Sequence, residues 1–188
     1  GTPTIYRGDD WEAAVTRKRV RKAADMVEGV TTGMAEGIFL EPLGLYLLVK
    51  RCNDLIRKIS FTEERPGVPV PPREKETLLK CWLEGGRVPW DLLDLSGLTE
   101  FQKKVLELVA TIPPGETLTY NQVAKRLGKP GAARAVGQAL KANPFPLIIP
   151  CHRVVRSKGL GGYSSGIGLK KRLLGVEKEI CHLNLLLD

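Results

Sequence analysis

Apolar residues follow two different rhythms along this chain, and the change between them divides it. From Gly37 to Phe61 Leu, Ile and Val crowd together and are broken by Pro42-Leu43-Gly44. That spacing predicts short strands joined by turns. The proline-dense stretch Pro66 to Pro72 predicts a loop. Arg73 to Glu84 carries Leu78, Leu79 and Trp82 at helical spacing, and Gly85-Gly86 supplies its stop. Upstream, Asp9 to Val27 reads as an amphipathic helix with Trp11, Val15, Ala23 and Val27 at apolar positions. A linker from Pro89-Trp90 to Ser96 closes this half. The expected division is an α/β domain over 1–95, with a helical extension at about 9–30, and a second domain over 96–188.

The second half is written in helices. Thr99-Glu100-Phe101-Gln102 is a capping box ahead of Val105, Leu106, Leu108 and Val109, and Pro113-Pro114-Gly115 ends that helix. A second capping box, Thr119-Tyr120-Asn121-Gln122, opens a helix through Val123 to Leu127. Gly128-Lys129-Pro130-Gly131 then turns the chain into Ala132 to Ala142. Two short helices about a glycine-bearing turn make a helix-turn-helix. A last helix is expected from Leu169 to about Glu179.

Composition narrows the setting. The 188 residues are 43% hydrophobic and 27% charged, as in an ordinary globular protein. No apolar run approaches the roughly 20 residues that cross a bilayer, and no secretory signal is visible, which points to the cytoplasm, or the nucleus in a eukaryote. The formal charge of +8 favours a polyanionic partner. Part of it lies in Arg17-Lys18-Arg19-Val20-Arg21-Lys22, a run more often a solvated helix face than a phosphate contact. Cys52, Cys81, Cys151 and Cys181 are too scattered for a disulfide scaffold, and His152 and His182 complete no zinc pattern with them. A disulfide among Cys52, Cys81 and Cys181 stays open.

Candidate chemistry centres on Pro150-Cys151-His152-Arg153-Val154-Val155, which follows the apolar run Leu147-Ile148-Ile149. A thiol attacks as thiolate, and an adjacent histidine can lower its pKa from about 8.5. A free cysteine is otherwise usually a small buried hydrophobe. In the second helix of the helix-turn-helix, Arg134 is one long cation among Gly131, Ala132, Ala133, Ala135 and Gly137. Such a surface lets a helix approach DNA closely, or lets it pack closely on another helix. The segment Gly159 to Gly166 is glycine-rich and can wrap a ligand or be a surface loop. Glu177 lies four residues past Leu173, at the edge of the stripe Leu169, Leu173, Val176 and Ile180. A carboxylate there needs a partner, either His152 or a neighbouring Lys170 or Lys178.

With Ala133-Arg134-Ala135-Val136-Gly137 upstream and Tyr163-Ser164 downstream, the Pro-Cys-His-Arg-Val element resembles the O6-alkylguanine-DNA alkyltransferases, or methylated-DNA–protein-cysteine methyltransferases. The likeness runs from about Thr99 to Glu177. It implies a mixed α/β (α+β) fold, with a small ribonuclease-H-like α/β first domain and a mostly helical second one bearing a winged helix-turn-helix.

It also implies roles. Cys151 would accept the alkyl group, His152 would take the thiol proton through a water, and Glu177 would orient His152. Tyr120 would donate to N3 of the leaving guanine. Arg134 would fill the gap left by the flipped nucleotide, and Asn143 would brace the helix-turn-helix against the active-site segment. Ser164 would offer its N–H to O6, the carbonyls of Cys151 and Val154 would hold the guanine amino group, and Pro146 and Tyr163 would wall the pocket. The implied partner is double-stranded DNA carrying O6-alkylguanine, bound through the minor groove with little sequence preference. The protein would act as a monomer, once per molecule, without metal or cofactor. Ser165 stands where some relatives have Gly, which would disfavour bulky benzyl adducts.

Two other readings fit the sequence less well than repair. A lesion-recognising module without chemistry is one, and it would lack the acceptor cysteine. A Cys–His hydrolase is the other, and its histidine usually lies far from the cysteine in sequence.

Overall fold

The computed structural model describes residues 35–187. The helix expected at Asp9 to Val27 and its basic run lie outside them. Among the described residues the first half is a four-stranded sheet in the order β3-β2-β1-β4. Strands β1 (Glu36–Leu40), β2 (Leu45–Cys52) and β3 (Leu55–Thr62) are antiparallel neighbours. Alternation sends Ile38, Leu40, Leu47, Val49, Ile56 and Ile59 into the core. Asn53 and Asp54 both take positive φ, the geometry of a two-residue hairpin turn that matches strand twist.

Pairing is Lys50 with Lys58 and then Arg51 with Ile56, so Arg57 is the extra residue of a bulge on β3. Arg57 and Lys58 therefore both face out, breaking the alternation. The Pro66–Pro72 stretch is not wholly loop. Val68–Pro69 forms β4, paired parallel with β1. Helix α1 (Pro72–Leu83) starts with proline in its first turn and buries Leu78, Leu79, Cys81 and Trp82. The segment expected as a linker packs against the sheet. Trp90–Leu92 is a 3-10 turn, Leu93 is buried, and the Asp94 N–H donates to the Ile56 carbonyl at 2.8 Å.

In the second half both capping boxes are formed in full, with side chain and backbone bonds in each direction. They open α2 (Glu100–Val109) and α3 (Tyr120–Arg126), and α4 (Ala133–Lys141) completes the helix-turn-helix. Short strands β5 (Leu118–Thr119) and β6 (Val154–Val155) pair in parallel, tying the start of α3 to the end of the Pro-Cys-His-Arg segment. The last helix, α5 (Ile167–Leu187), runs well past Glu179, because nothing in Ile180 to Leu187 interrupts a helix. Buried residues of both halves make one contiguous core, with Trp82 and Phe145 as its largest fully buried members.

Candidate active site

Cys151 opens a 3-10 turn (Cys151–Arg153) and lies in the wall of a cavity of about 260 Å³. Tyr120, Gly137, Leu140, Lys141, Gly162, Tyr163 and Ser164 supply the rest of that wall. The approach is tightly built. Asn143 Nδ2 donates to the Ile149 carbonyl at 3.0 Å, and its Oδ1 accepts from the Phe145 N–H at 2.9 Å. Leu147 holds φ at 75°, a left-handed conformation that costs a non-glycine residue about 1–2 kcal/mol. Gly161 (φ 75°) lets the backbone pass Tyr120, since a Cβ there would fall 3.0 Å from the phenol oxygen.

Behind the thiol is a buried charge network. His152 Nε2 lies 2.5 Å from Glu177 Oε1, so of the partners left open for Glu177 the histidine is the one in contact. Arg153 completes the network, and sequence reasoning gave it no role. Its Nε donates to Glu177 Oε2 at 3.0 Å and its Nη2 to Oε1 at 2.8 Å. It also donates to the carbonyls of Ile112 (2.7 Å) and Trp82 (3.1 Å). The Trp82 indole N–H adds a bond to Glu177 Oε1 at 3.2 Å. Burial pushes the Glu177 carboxyl up, but the bonds from His152 and Arg153 outweigh it and hold the group down at about 2.

That fixes the histidine. An ionised carboxylate only accepts, so Nε2 carries the proton it donates to Glu177. Burial lowers the imidazole pKa against the pull of Glu177, so the ring is neutral at pH 7. Nδ1 is then the basic nitrogen, and it is buried with no hydrogen-bond partner. Adjacency to His152 does not lower the Cys151 pKa as the sequence suggested. Burial pushes the Cys151 thiol up, with Asn143 and Lys170 only partly offsetting it. A neutral neighbour supplies no charge to hold a thiolate, so Cys151 rests as a thiol.

Lys170 is a second residue whose role sequence reasoning did not reach. It is fully buried, and its Nζ donates to the carbonyls of Val154 (2.7 Å) and Gly162 (3.0 Å), not to Glu177. Burial lowers its pKa to about 8. Its position three residues before Leu173 and seven before Glu177, on the buried stripe, was the available signal. Because a carbonyl has two lone pairs, Val154 keeps one for another donor.

Among the other candidates, Tyr120 is half-buried at the cavity, and burial raises its phenol pKa, so it keeps its proton. The Tyr163 hydroxyl is buried without a partner. Ser164 is exposed at the cavity mouth, with Oγ donating to the Lys141 carbonyl at 3.2 Å. Arg134 projects from α4 into solvent. Pro146 is buried and is not among the cavity-lining residues, nor is the exposed Ser165. The four cysteines are free thiols, and no group of three or more metal-ligating side chains occurs among the described residues. No described helix is long and apolar enough to cross a membrane.

The family model for the 6-O-methylguanine DNA methyltransferase DNA-binding domain matches residues 100–179. A methylated-DNA–protein-cysteine methyltransferase of Methanothermobacter thermautotrophicus is 51% identical over 113 residues, which are 57% of this chain and 63% of that relative. One from Methanosarcina acetivorans is 36% identical over 154 residues, 77% of this chain and 98% of that one. Among solved structures, Mycobacterium tuberculosis OGT in complex with DNA superposes with a TM-score of 0.60 at 34% identity, covering 78% of this chain and 93% of that one. The O6-methylguanine-DNA methyltransferase of Pyrococcus kodakaraensis gives 0.60 at 30% identity, covering 71% and 91%. Fold and likeness define the class as proteins built like the O6-methylguanine-DNA methyltransferases. The chain belongs to the methylated-DNA–protein-cysteine methyltransferases.

Proposed function

We propose that this protein repairs DNA by direct reversal, moving the alkyl group of O6-alkylguanine onto Cys151 once per molecule. The observation that carries this reading is Cys151 in a cavity wall, with the next residue an imidazole hydrogen-bonded to Glu177, which Arg153 also grips. The alkyl carbon of a stacked, paired guanine is closed to in-line attack, so the nucleotide must leave the helix. Flipping costs a few kcal/mol, offset by cavity contacts and by Arg134 filling the vacated space. The α4 surface of small residues suits the narrow minor groove, and binding through the backbone makes it nearly indifferent to sequence.

In the chemical step His152 Nδ1 takes the thiol proton through one water while Sγ attacks the alkyl carbon. The carbon–oxygen bond breaks, and the electron pair goes to guanine O6. Tyr120 gives its proton to N3, so the base departs neutral. The Ser164 N–H steadies O6, and the carbonyls of Cys151 and Val154 receive the guanine amino group. Tyr163 borders the base, while Asn143 and the buried Pro146 keep the segment before Cys151 in place. A thioether offers water no leaving group, so the protein is spent as a monomeric, stoichiometric acceptor without a cofactor.

Intact-mass spectrometry after incubation with duplex carrying one O6-methylguanine tests the reading. One added methyl per chain, absent from Cys151→Ala, is the expected result. An unchanged mass with the DNA still bound would leave recognition without transfer.

A further inference from the structure

A second, separate cleft of about 440 Å³ lies where the first half meets the end of α4. Lys50, Arg57 and Lys58 from the sheet and Lys141, Ala142, Asn143 and Pro144 from the second half line it, with no acidic side chain among them. We propose that this cleft grips phosphates of the same duplex whose damaged nucleotide enters the Cys151 cavity, extending the DNA interface from the helix-turn-helix onto β2 and β3. The inference rests on the reading above and adds a binding surface to it.

Three observations converge on an anionic occupant. Lys50 and Lys58 stand directly opposite across the antiparallel pair, where like charges repel and cost a sheet stability. The bulge then adds Arg57 to the same exposed surface. A protein indifferent to anions has no use for that arrangement. Arg51, the next residue along, shows the alternative: Glu36 and Glu74 neutralise it. Lys50, Lys58 and Lys141 form no ion pair with the described residues, and Arg57 has only the field of Asp94 beside it.

Position points the same way. Lys141 lines both this cleft and the Cys151 cavity, so a duplex at the mouth of one lies against the other. The seam is also firm. The Ile59 N–H donates to the Pro144 carbonyl at 2.8 Å, and Asn143 is bonded on both ends of its side chain. Cations carried on a firm seam suit a stiff, evenly charged ligand, and duplex DNA carries one charge per ~1.7 Å of axis.

The test uses the full chain and a Lys50→Ala/Arg57→Ala/Lys58→Ala variant; all three side chains are exposed, and Lys141 is left alone because it also borders the reactive cavity. Affinity for duplex carrying O6-methylguanine is followed against salt by fluorescence anisotropy. Each phosphate that the variant no longer neutralises should flatten the log–log slope by about 1, so a fall of about 2–3 is expected. Single-turnover methyl transfer should keep its rate at saturating duplex while the half-saturating concentration rises by about tenfold or more. An unchanged slope and half-saturation point in a variant that melts like wild type would overturn the proposal. So would a variant that loses binding to RNA but not to duplex DNA. If the wild-type chain neither binds duplex nor gains a methyl, the functional reading itself fails and the cleft assignment falls with it.

Discussion

Replacing Arg153 by Met is the sharpest probe of the reactive centre. The new side chain is apolar and flexible enough to fill the space, so packing loss is small. What disappears is four buried hydrogen bonds, two of them to the Glu177 carboxylate. Removing one partner of a buried ion pair costs about 3–5 kcal/mol, because the other charge stays behind without compensation. For a chain of this size each kcal/mol moves the melting temperature by about 2–4 °C, so a drop of roughly 6–20 °C is expected.

A second effect follows from the same charges. The Arg153 guanidinium works against protonation of His152 while Glu177 favours it. Without Arg153, the partners of Glu177 among the described residues are His152 and Trp82, and the imidazole gains a proton more readily. The acid limb of the single-turnover transfer rate should therefore move to higher pH. Thermal melts followed by circular dichroism give the first number, and a pH–rate profile gives the second. A melting temperature within about 2 °C of wild type, or an acid limb that stays in place, would refute the network as described.

Other expectations are simpler to read. Glu177 sits at about 2 when folded against 4.5 ordinarily, so its stabilisation is present above pH 4.5 and is lost as pH falls through about 2. Urea titrations should show wild type losing on the order of 3 kcal/mol more than Glu177→Gln across that window. Tyr120→Phe should slow transfer by about 10²–10⁴-fold if the phenol proton goes to the leaving base, with DNA affinity little changed; equal rates would remove that role. Tyr163→Phe deletes a buried hydroxyl that has no partner, so the free protein should be as stable or more so, as a melt would show.

What could be read from the sequence was whatever is decided within a few residues. Both capping boxes, the hairpin region around Pro42-Leu43-Gly44 and the helix-turn-helix follow from neighbours three or four positions apart. The Cys151–His152–Glu177 set was legible through the family likeness and through the stripe on α5. Arg153 and Trp82 were not, because their pairing joins residues 71 apart in the chain and no periodicity encodes it. The direction of the thiol's pKa shift was not legible for a related reason. Adjacency in sequence pointed to a lowered pKa, while burial, a property of the folded core, pushes the thiol up. The length of α5 was missed because its last two turns leave the core, and Leu185 and Leu186 are exposed there.

Trp82 carries a consequence for how this chain can change over generations. It belongs to the first half, yet its indole and its carbonyl finish the bonding of Glu177 and Arg153 in the second. A shortened gene beginning near Leu98 would keep every letter of the Pro-Cys-His-Arg motif and still lose the dry wall behind it. Water would reach the carboxylate, and the balance that keeps His152 neutral would shift. Drift in the α/β half should thus show up first as a changed working pH, well before any letter of the reactive motif is altered.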